Sequence, residues 1–318
     1  MVNLNDQIKG LINQRNPVTS IFNTIQKITS THDVNVNTLF QRQEQGINLF
    51  EDFLRETYYE FYQILFESIK NAKPEDRLSP EDKTIIILDG LSLRETSLLL
   101  PELKNNGYKI SEFSYNLSTI PSDTQTFVRE IFGASSLSFL KQWKDYKVQY
   151  ISSGQIPKFL PEDENLIIWL SFPDELLHYA RGQVITPAEA FNKTKEALFA
   201  ILKLLERNQI LITSDHGYIY AKSASLFWKL HHDDEKILKQ IFKAGRSVKI
   251  EDIDANDKTL LNELKKIPEP EGIISSDERY VYIKGRYWWP IPGRQSDICH
   301  GGLSLMECLV PKLRIKRE

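Results

Sequence analysis

Residues 84–92 read Thr84-Ile85-Ile86-Ile87-Leu88-Asp89-Gly90-Leu91-Ser92. The apolar run to Leu88 is too short for a helix and shows no polar alternation, which predicts a strand buried on both faces of a parallel sheet. It stops at a carboxylate followed by a glycine, so Asp89 stands at the strand's carboxyl end and Gly90 permits a tight exit.

The same design recurs downstream, in Val148 to Ile151, Leu166 to Leu170 and Ile210 to Thr213, with a more polar candidate at Tyr108 to Tyr115. Between these runs, helical spacing covers Ser92 to Asn105, Thr124 to Phe132 and Pro187 to Arg207. Strands alternating with helices predict an α/β fold, a mostly parallel sheet flanked by helices. Upstream, Phe50, Phe53, Leu54, Tyr58, Phe61, Leu65 and Ile69 recur in helical steps. A turn-rich link from Lys73-Pro74 to Ser79-Pro80 follows them. We therefore read an N-terminal helical segment over 1–80 and a catalytic domain over 81–318, in which the charged stretch 222–280 forms an insertion or cap. The aromatic stripe Phe50, Phe53, Tyr58 and Phe61 is expected to pack on the rest of the chain; a protein partner docking on the N-terminal helices is the other reading.

Composition excludes several classes. The 318 residues are 41% apolar and 26% charged, which argues against collagen, coiled coil and wholesale disorder. Lys and Arg number 40 against 43 Asp and Glu, so the chain as a whole lacks the basic footprint of a duplex-binding or membrane-surface protein. Two cysteines, Cys299 and Cys308, cannot make a disulfide framework and read as structural thiols. No apolar run reaches the roughly 20 residues a spanning helix needs, and the cytoplasm is the expected compartment.

Ligands of open α/β sheets bind beyond the carboxyl ends of the strands. Asp89 lies at one such end, Ser171-Phe172-Pro173-Asp174 with His178 at a second, and Ser214-Asp215-His216-Gly217 at a third. Asp174 and His178 share a face if a helix starts at Pro173. His300, in Cys299-His300-Gly301-Gly302-Leu303-Ser304, adds a further imidazole beside glycines that allow close backbone approach. Three carboxylates and three imidazoles make two sets of nitrogen and oxygen ligands suited to Zn²⁺ or Mn²⁺. His32, His231 and His232 read as solvated.

The order Asp, a Ser/Thr-rich segment, Asp-x-x-x-His, Asp-His-Gly and a late His-Gly-Gly resembles the alkaline phosphatase superfamily, and within it the PglZ domain. The phrases that carry the resemblance are Ile87-Leu88-Asp89-Gly90-Leu91-Ser92-x-Arg94-Glu95, Ser214-Asp215-His216-Gly217-Tyr218-Ile219 and His300-Gly301-Gly302-Leu303-Ser304-Leu305-Met306-Glu307-Cys308-Leu309-Val310-Pro311. It covers about Lys83 to Ile315. It implies an alkaline-phosphatase-like fold and two divalent metal ions, zinc favoured and manganese the alternative, with no other cofactor. One ion would be held by Asp174, His178 and His300, the other by Asp89, Asp215 and His216. It also implies a Ser or Thr nucleophile in the segment Pro121-Ser122-Asp123-Thr124-Gln125-Thr126: Thr124 is our choice, Ser122 and Thr126 are alternatives, and Ser92 lies too soon after Asp89. A covalent phospho-threonine would form and then be hydrolysed. The sulfatase branch is disfavoured, because neither cysteine sits in the motif its modified nucleophile requires.

The resemblance thus implies a metal-dependent phosphoesterase, a phosphodiesterase in preference to a monoesterase, acting on nucleotide or nucleic-acid phosphoesters in BREX-type phage defence or in regulatory signalling. The diester preference rests on aromatic and apolar neighbours, Phe172, Tyr218, Tyr220, Trp288 and Trp289, set against Arg94, Arg181 and Arg294 as cations. Asp297 and Arg294 read as loop residues and Glu307 as a structural acceptor. A catalytically silent, partner-binding scaffold is the competing hypothesis, and a complete ligand set argues against it. A third, a DNA-binding accessory, has only Arg314, Lys316 and Arg317 for it, which read as a solvated tail.

Overall fold

Asn16 caps the first helix by accepting a hydrogen bond from the Thr19 amide at 3.3 Å, and Pro17 supplies a first-turn φ already suited to a helix. The computed structural model describes residues 16–30, 36–152, 155–161, 165–178, 185–205, 207, 209–220, 226–289 and 298–318. Four helices lead the chain: α1 (Pro17–Thr29), α2 (Val36–Thr57), α3 (Phe61–Asn71) and the short α4 (Pro74–Leu78). The sheet-forming part of the chain then runs β1 (Thr84–Leu88), α5 (Leu93–Asn105), β2 (Tyr108–Leu117), α6 (Thr124–Phe132), β3 (Gln142–Trp143), β4 (Tyr146–Ile151), β5 (Asn165–Leu170), α7 (Asp174–His178), α8 (Pro187–Leu204) and β6 (Gln209–Thr213). After β7 (Ile219–Tyr220) come α9 (His232–Phe242), β8 (Ser247–Lys249), α10 (Ala255–Lys265), β9 (Ile274–Ser276) and β10 (Tyr280–Ile283). The chain closes with β11 (Ile298–Cys299), α11 (Leu305–Cys308) and β12 (Leu309–Arg317).

Seven strands form one sheet in the order β2-β12-β6-β1-β5-β4-β3. The central pairs β4–β5, β5–β1 and β1–β6 are parallel, as the unbroken apolar runs predict. Strand periodicity divides β1 between two cores. Ile86 and Leu88 pack with Ile168, Leu170 and Ile212 under α5 and α8. Ile85 and Ile87 pack on the other face with Ile167, Trp169 and Leu211, beneath Phe127, Val128 and Ile131 of α6.

The expectation of a solvated basic tail holds for Lys316 and Arg317, which are exposed, and is overturned for Arg314. Residues 309–317 are an interior strand, antiparallel to both β6 and β2. Leu313 and Ile315 are fully buried, and Arg314 pairs with Asp82 at 2.8 Å, Glu81 at 2.5 Å and Glu112. Carboxylates from the start of β1 and from β2 thus neutralise the cation that had suggested an exposed end.

A third core joins the N-terminal helices to the insertion. Ile47, Leu54, Phe61 and Leu65 meet Tyr282, Ile283, Trp289 and Leu305 there. The aromatic stripe packs inward: Phe61 is fully buried, and Phe50, Phe53 and Tyr58 lie against the same core. The insertion builds its own antiparallel sheet, β8-β10-β9, beside α9 and α10. His231 and His232 are exposed, as expected, whereas His32 lies outside the described residues. Among the described residues no helix is long and apolar enough to cross a membrane.

Candidate metal centre

Asp89, Asp215, His216 and His300 lie in loops that follow strands, and Asp174 and His178 are the first and last residues of α7. Gly90, at φ +71°, turns the chain after Asp89, and a Cβ there would lie 2.9 Å from that of Asp174. The Asp174 amide donates to the Asp89 carbonyl at 3.0 Å, and the Gly90 amide donates to Asp215 Oδ1 at 3.2 Å. Ser214 Oγ donates to the Leu88 carbonyl at 2.7 Å, linking the ends of β1 and β6. Gly217 packs where any Cβ would overlap the Met306 carbonyl oxygen.

The six residues form two adjoining groups with ligand atoms close enough to share an ion: Asp89, Asp215 and His216, all buried, and Asp174, His178 and His300, partly open to solvent. Asp174 Oδ1 lies 3.3 Å from His178 Nε2 and 3.7 Å from His300 Nε2, and the two imidazole nitrogens face each other at 2.9 Å. In the buried group, His216 Nε2 is 3.6 Å from Asp89 Oδ1 and 3.7 Å from Asp215 Oδ2.

The donor set suits divalent cations. His216 Nδ1 is 3.0 Å from the Gly217 carbonyl and His300 Nδ1 is 3.3 Å from that of Ser122, contacts that hold the proton on Nδ1 and turn the Nε2 lone pair to the site. Asp174 Oδ1 is buried yet accepts no hydrogen bond from a described residue, a costly condition that a cation relieves. Electrostatics point the same way. Burial and the neighbouring carboxylates Asp215 and Asp174 hold Asp89 well above the usual carboxylate range. Asp174 moves oppositely: burial would raise it, but the His178 and His300 imidazoles draw it well below. For His216 burial is outweighed by Asp215, Asp174 and Asp89, which push it up to about 9. Burial and the adjacent His216 push His300 down to about 3. Such opposed shifts mark a cluster of negative charge short of cations.

Thr124 completes the buried group. It opens α6 behind the N-cap Asp123, whose carboxylate takes the Thr126 amide at 2.7 Å. Its Oγ1 lies 2.7 Å from Asp215 Oδ2, 3.1 Å from Asp89 Oδ1 and 3.3 Å from His216 Nε2. The alternatives point elsewhere. Ser122 is fully buried, donating to the Gly302 carbonyl at 2.9 Å and accepting from the Gly301 amide at 3.0 Å, so it ties the segment before α6 to the His300 loop. Thr126 is buried, and its hydroxyl accepts from Arg129 at 3.4 Å. Ser92 caps α5, in reciprocal contact with Glu95.

The matching family now follows from an independent comparison: the family model of the BREX system PglZ alkaline phosphatase-like domain covers residues 150–315. The chain belongs to the PglZ family. The match takes in five of the six candidate ligands, while Asp89 and Thr124 precede it, so it is narrower than the stretch expected from the motifs. No curated protein matches the chain. Among solved structures, phosphonoacetate hydrolase from Sinorhizobium meliloti 1021 is similar over 48% of this chain and 46% of its own, at 14% identity and a TM-score of 0.27. Murine ectonucleotide pyrophosphatase/phosphodiesterase 5, in complex with AMP, is similar over 48% and 47%, at 12% identity and a TM-score of 0.23. This PglZ chain therefore spans about half the length of those proteins (46% and 47%). The alkaline phosphatase-like assignment stands on the family match and the sheet topology.

The PglZ domain does not offer the substrate-facing aromatics expected from its sequence. Tyr218 is fully buried with its hydroxyl on Glu95, Tyr220 and Phe172 are buried, and Trp289 is buried with its indole donating to the Lys243 carbonyl at 2.9 Å. Trp288 is half-buried and stacks on Trp289. Arg94, expected as a free cation, is fully buried and paired with Glu44. Tyr218, Trp289 and Arg94 are thus committed to partners inside the fold. Arg181, Arg294 and Asp297 lie outside the described residues. Glu307 is the expected structural acceptor, taking Arg246 Nε and the Gly302 amide, each at 2.8 Å. Both cysteines are buried and neither is in a disulfide.

Sequence reasoning missed Glu44 and Glu51. Their signal was legible, since both carboxylates fall on the α2 stripe that buries Ile47 and Leu54, where a charge needs a buried partner.

Proposed function

We propose that this chain is a metal-dependent phosphoesterase with Thr124 as its nucleophile. The observation that carries the reading is the position of Thr124 Oγ1, within 3.3 Å of Asp89, Asp215 and His216 and at the start of α6. Asp89, Asp215 and His216 would hold one divalent ion and Asp174, His178 and His300 a second, with zinc favoured over manganese. Such ions lower the pKa of a hydroxyl nucleophile and neutralise charge on the phosphoryl group. The Thr124 hydroxyl donates its hydrogen bond to Asp215, which orients the oxygen for in-line attack on phosphorus. First-turn N–H groups of α6 that Asp123 leaves free favour the charge developing beside Thr124. Attack would form the Thr124 Oγ1–P bond as the P–O bond to the leaving alcohol breaks, and water would then cleave the phospho-threonine, releasing the remaining phosphomonoester and regenerating the hydroxyl.

Diesters are the substrate class we favour. Among the described residues the ion pairs of Asp89, Asp174 and Asp215 are with histidines alone, and no Lys or Arg pairs with them. A dianionic monoester calls for additional cations that a monoanionic diester does not. The BREX setting of the family makes nucleic-acid and nucleotide diesters the first to assay, and phage defence the context in which to look for a phenotype. The test compares a bis-aryl phosphate with an aryl monophosphate at matched Zn²⁺ or Mn²⁺. Diester turnover should exceed monoester turnover, and Thr124→Ala should abolish it while metal stays bound. Monoester preference would overturn the substrate class, and full activity of Thr124→Ala would overturn the nucleophile.

A further inference from the structure

Helix α2 lies far in sequence from every candidate ligand, yet it carries two fully buried carboxylates that reach the loops behind both ligand groups. Glu44 pairs with Arg94 and with Arg286, and accepts from the Tyr220 amide at 3.3 Å. Arg94 in turn donates through Nε to Ser92 Oγ at 3.2 Å and through Nη2 to the Tyr218 carbonyl at 2.5 Å. Ser92 is three residues beyond Asp89, and Tyr218 two beyond His216. Glu51 accepts from the Leu305 amide at 2.9 Å, five residues beyond His300, and takes Arg286 Nη1 at 3.3 Å and the Tyr62 hydroxyl at 3.2 Å. Two carboxylates and two guanidiniums therefore close a buried network, with Glu95 beside it on Ser92 and Tyr218. Its outer contacts fall on the three chain segments that leave Asp89, Asp215-His216 and His300.

We propose that Glu44 and Glu51 are positioning residues for the candidate metal centre, holding the exits of β1 and β6 and the segment after His300 at a fixed separation. The proposal rests on the metal-binding reading above. A buried network in which two guanidiniums meet two carboxylates is rigid, because shifting one loop would separate a buried ion pair. Conversion of either carboxylate to an amide keeps the shape but leaves a guanidinium short of charge, and the loops relax toward other partners. Outer-shell supports of this kind are worth about 10- to 100-fold in metal affinity.

The experiment titrates the purified full chain with Zn²⁺ by competition calorimetry and records thermal melts in parallel. Glu44→Gln and Glu51→Gln should bind Zn²⁺ at least about tenfold more weakly than wild type, with Glu44→Asp and Glu51→Asp in between. Ile47→Ala, on the same buried stripe but outside the network, should lower the melting temperature and leave Zn²⁺ affinity unchanged. Wild-type protein that binds neither Zn²⁺ nor Mn²⁺ overturns the metal reading itself. Wild-type binding with unchanged affinity in both glutamine variants overturns the positioning role alone, as does an Ile47→Ala variant weakened as much as they are. Should the glutamine variants fail to fold, the aspartate variants decide: weakened binding supports the role and wild-type affinity removes it.

Discussion

The imidazoles of His216 and His300 stack at 4.2 Å between centroids, 22° from coplanar, so each candidate ion group packs a ring against the other. His178, by contrast, meets His300 edge-on at 5.1 Å, on the side that opens to solvent. His300→Ala should therefore weaken both ions, its own by loss of a ligand and its neighbour's by about 10-fold through loss of packing. His178→Ala should weaken one ion only. Metal content after dialysis against a weak chelator distinguishes the two patterns.

Ser122 offers a test of how the nucleophile segment is tied down. Ser122→Ala leaves the Gly301 amide and the Gly302 carbonyl without their shared partner. We expect a loss of about 1–3 kcal/mol in folding stability and a fall in turnover, with the Zn²⁺ site of Asp89, Asp215 and His216 retained. Urea melts and metal analysis on one preparation read both.

Replacing Gly90 tests the spacing between Asp89 and Asp174. An alanine at φ +71° is strained by about 1–2 kcal/mol, and its Cβ would press on Asp174 at 2.9 Å. Gly90→Ala should loosen the ion group that contains Asp174 more than the buried one, visible as one tight and one weak Zn²⁺ in a titration.

If His216 is a metal ligand as proposed, metal binding should depend on pH. With its pKa pushed up to about 9 in the metal-free chain, its ring carries a proton at pH 7 that must leave before Nε2 can bind an ion. Binding at pH 7 should release the His216 proton, with a further contribution from Asp89, whose pKa is also raised, and affinity should rise with pH toward 9. Calorimetry in two buffers of different ionisation enthalpy counts the protons.

Asp277 gives a stability prediction of known sign. Burial would raise its pKa, but the Tyr282 hydroxyl at 2.5 Å, the amides of Tyr280 and Arg279, and Lys70 at 3.1 Å together lower it. A depressed carboxylate pKa stabilises the fold above the ordinary value near about 4, and that contribution is lost as pH falls through the folded-state pKa. Asp277→Asn should cost about 1–3 kcal/mol at pH 7, and the difference from wild type should shrink at pH 3.

Much of this architecture was legible because β1, β5 and β6 are buried on both faces, which leaves unbroken apolar runs that end at the ligands. The limits of α6 were legible for a local reason, the Asp123 cap and the glycine at its close, Gly133. Strand β12 was missed although Lys312, Arg314 and Lys316 alternate with Leu313 and Ile315 at strand period, because the charges read as a tail while the carboxylates that accept Arg314 stand more than 200 residues away. Separation in sequence, 123 residues to Glu95 and 50 to Glu44, also hid the partners of Tyr218 and Arg94, whose nearness to the ligands suggested substrate contact. Position next to a ligand marks the wall of a site, and only the packing tells which side of the wall a ring occupies.

Because β12 lies between β2 and β6, an early strand and a central one are joined only by residues 309–317. Translation therefore delivers β2 some 190 residues before the strand that gives it a place in the sheet. Until then β2 has no neighbour to pair with, and the Ser118 amide waits for the Cys308 carbonyl just ahead of β12, 2.9 Å away in the finished fold. A pairing this distant in sequence carries a large loop-closure entropy and is slow. Closure of this edge, and with it the anchoring of the segment that leads to Thr124, is thus a late event in the life of each new chain.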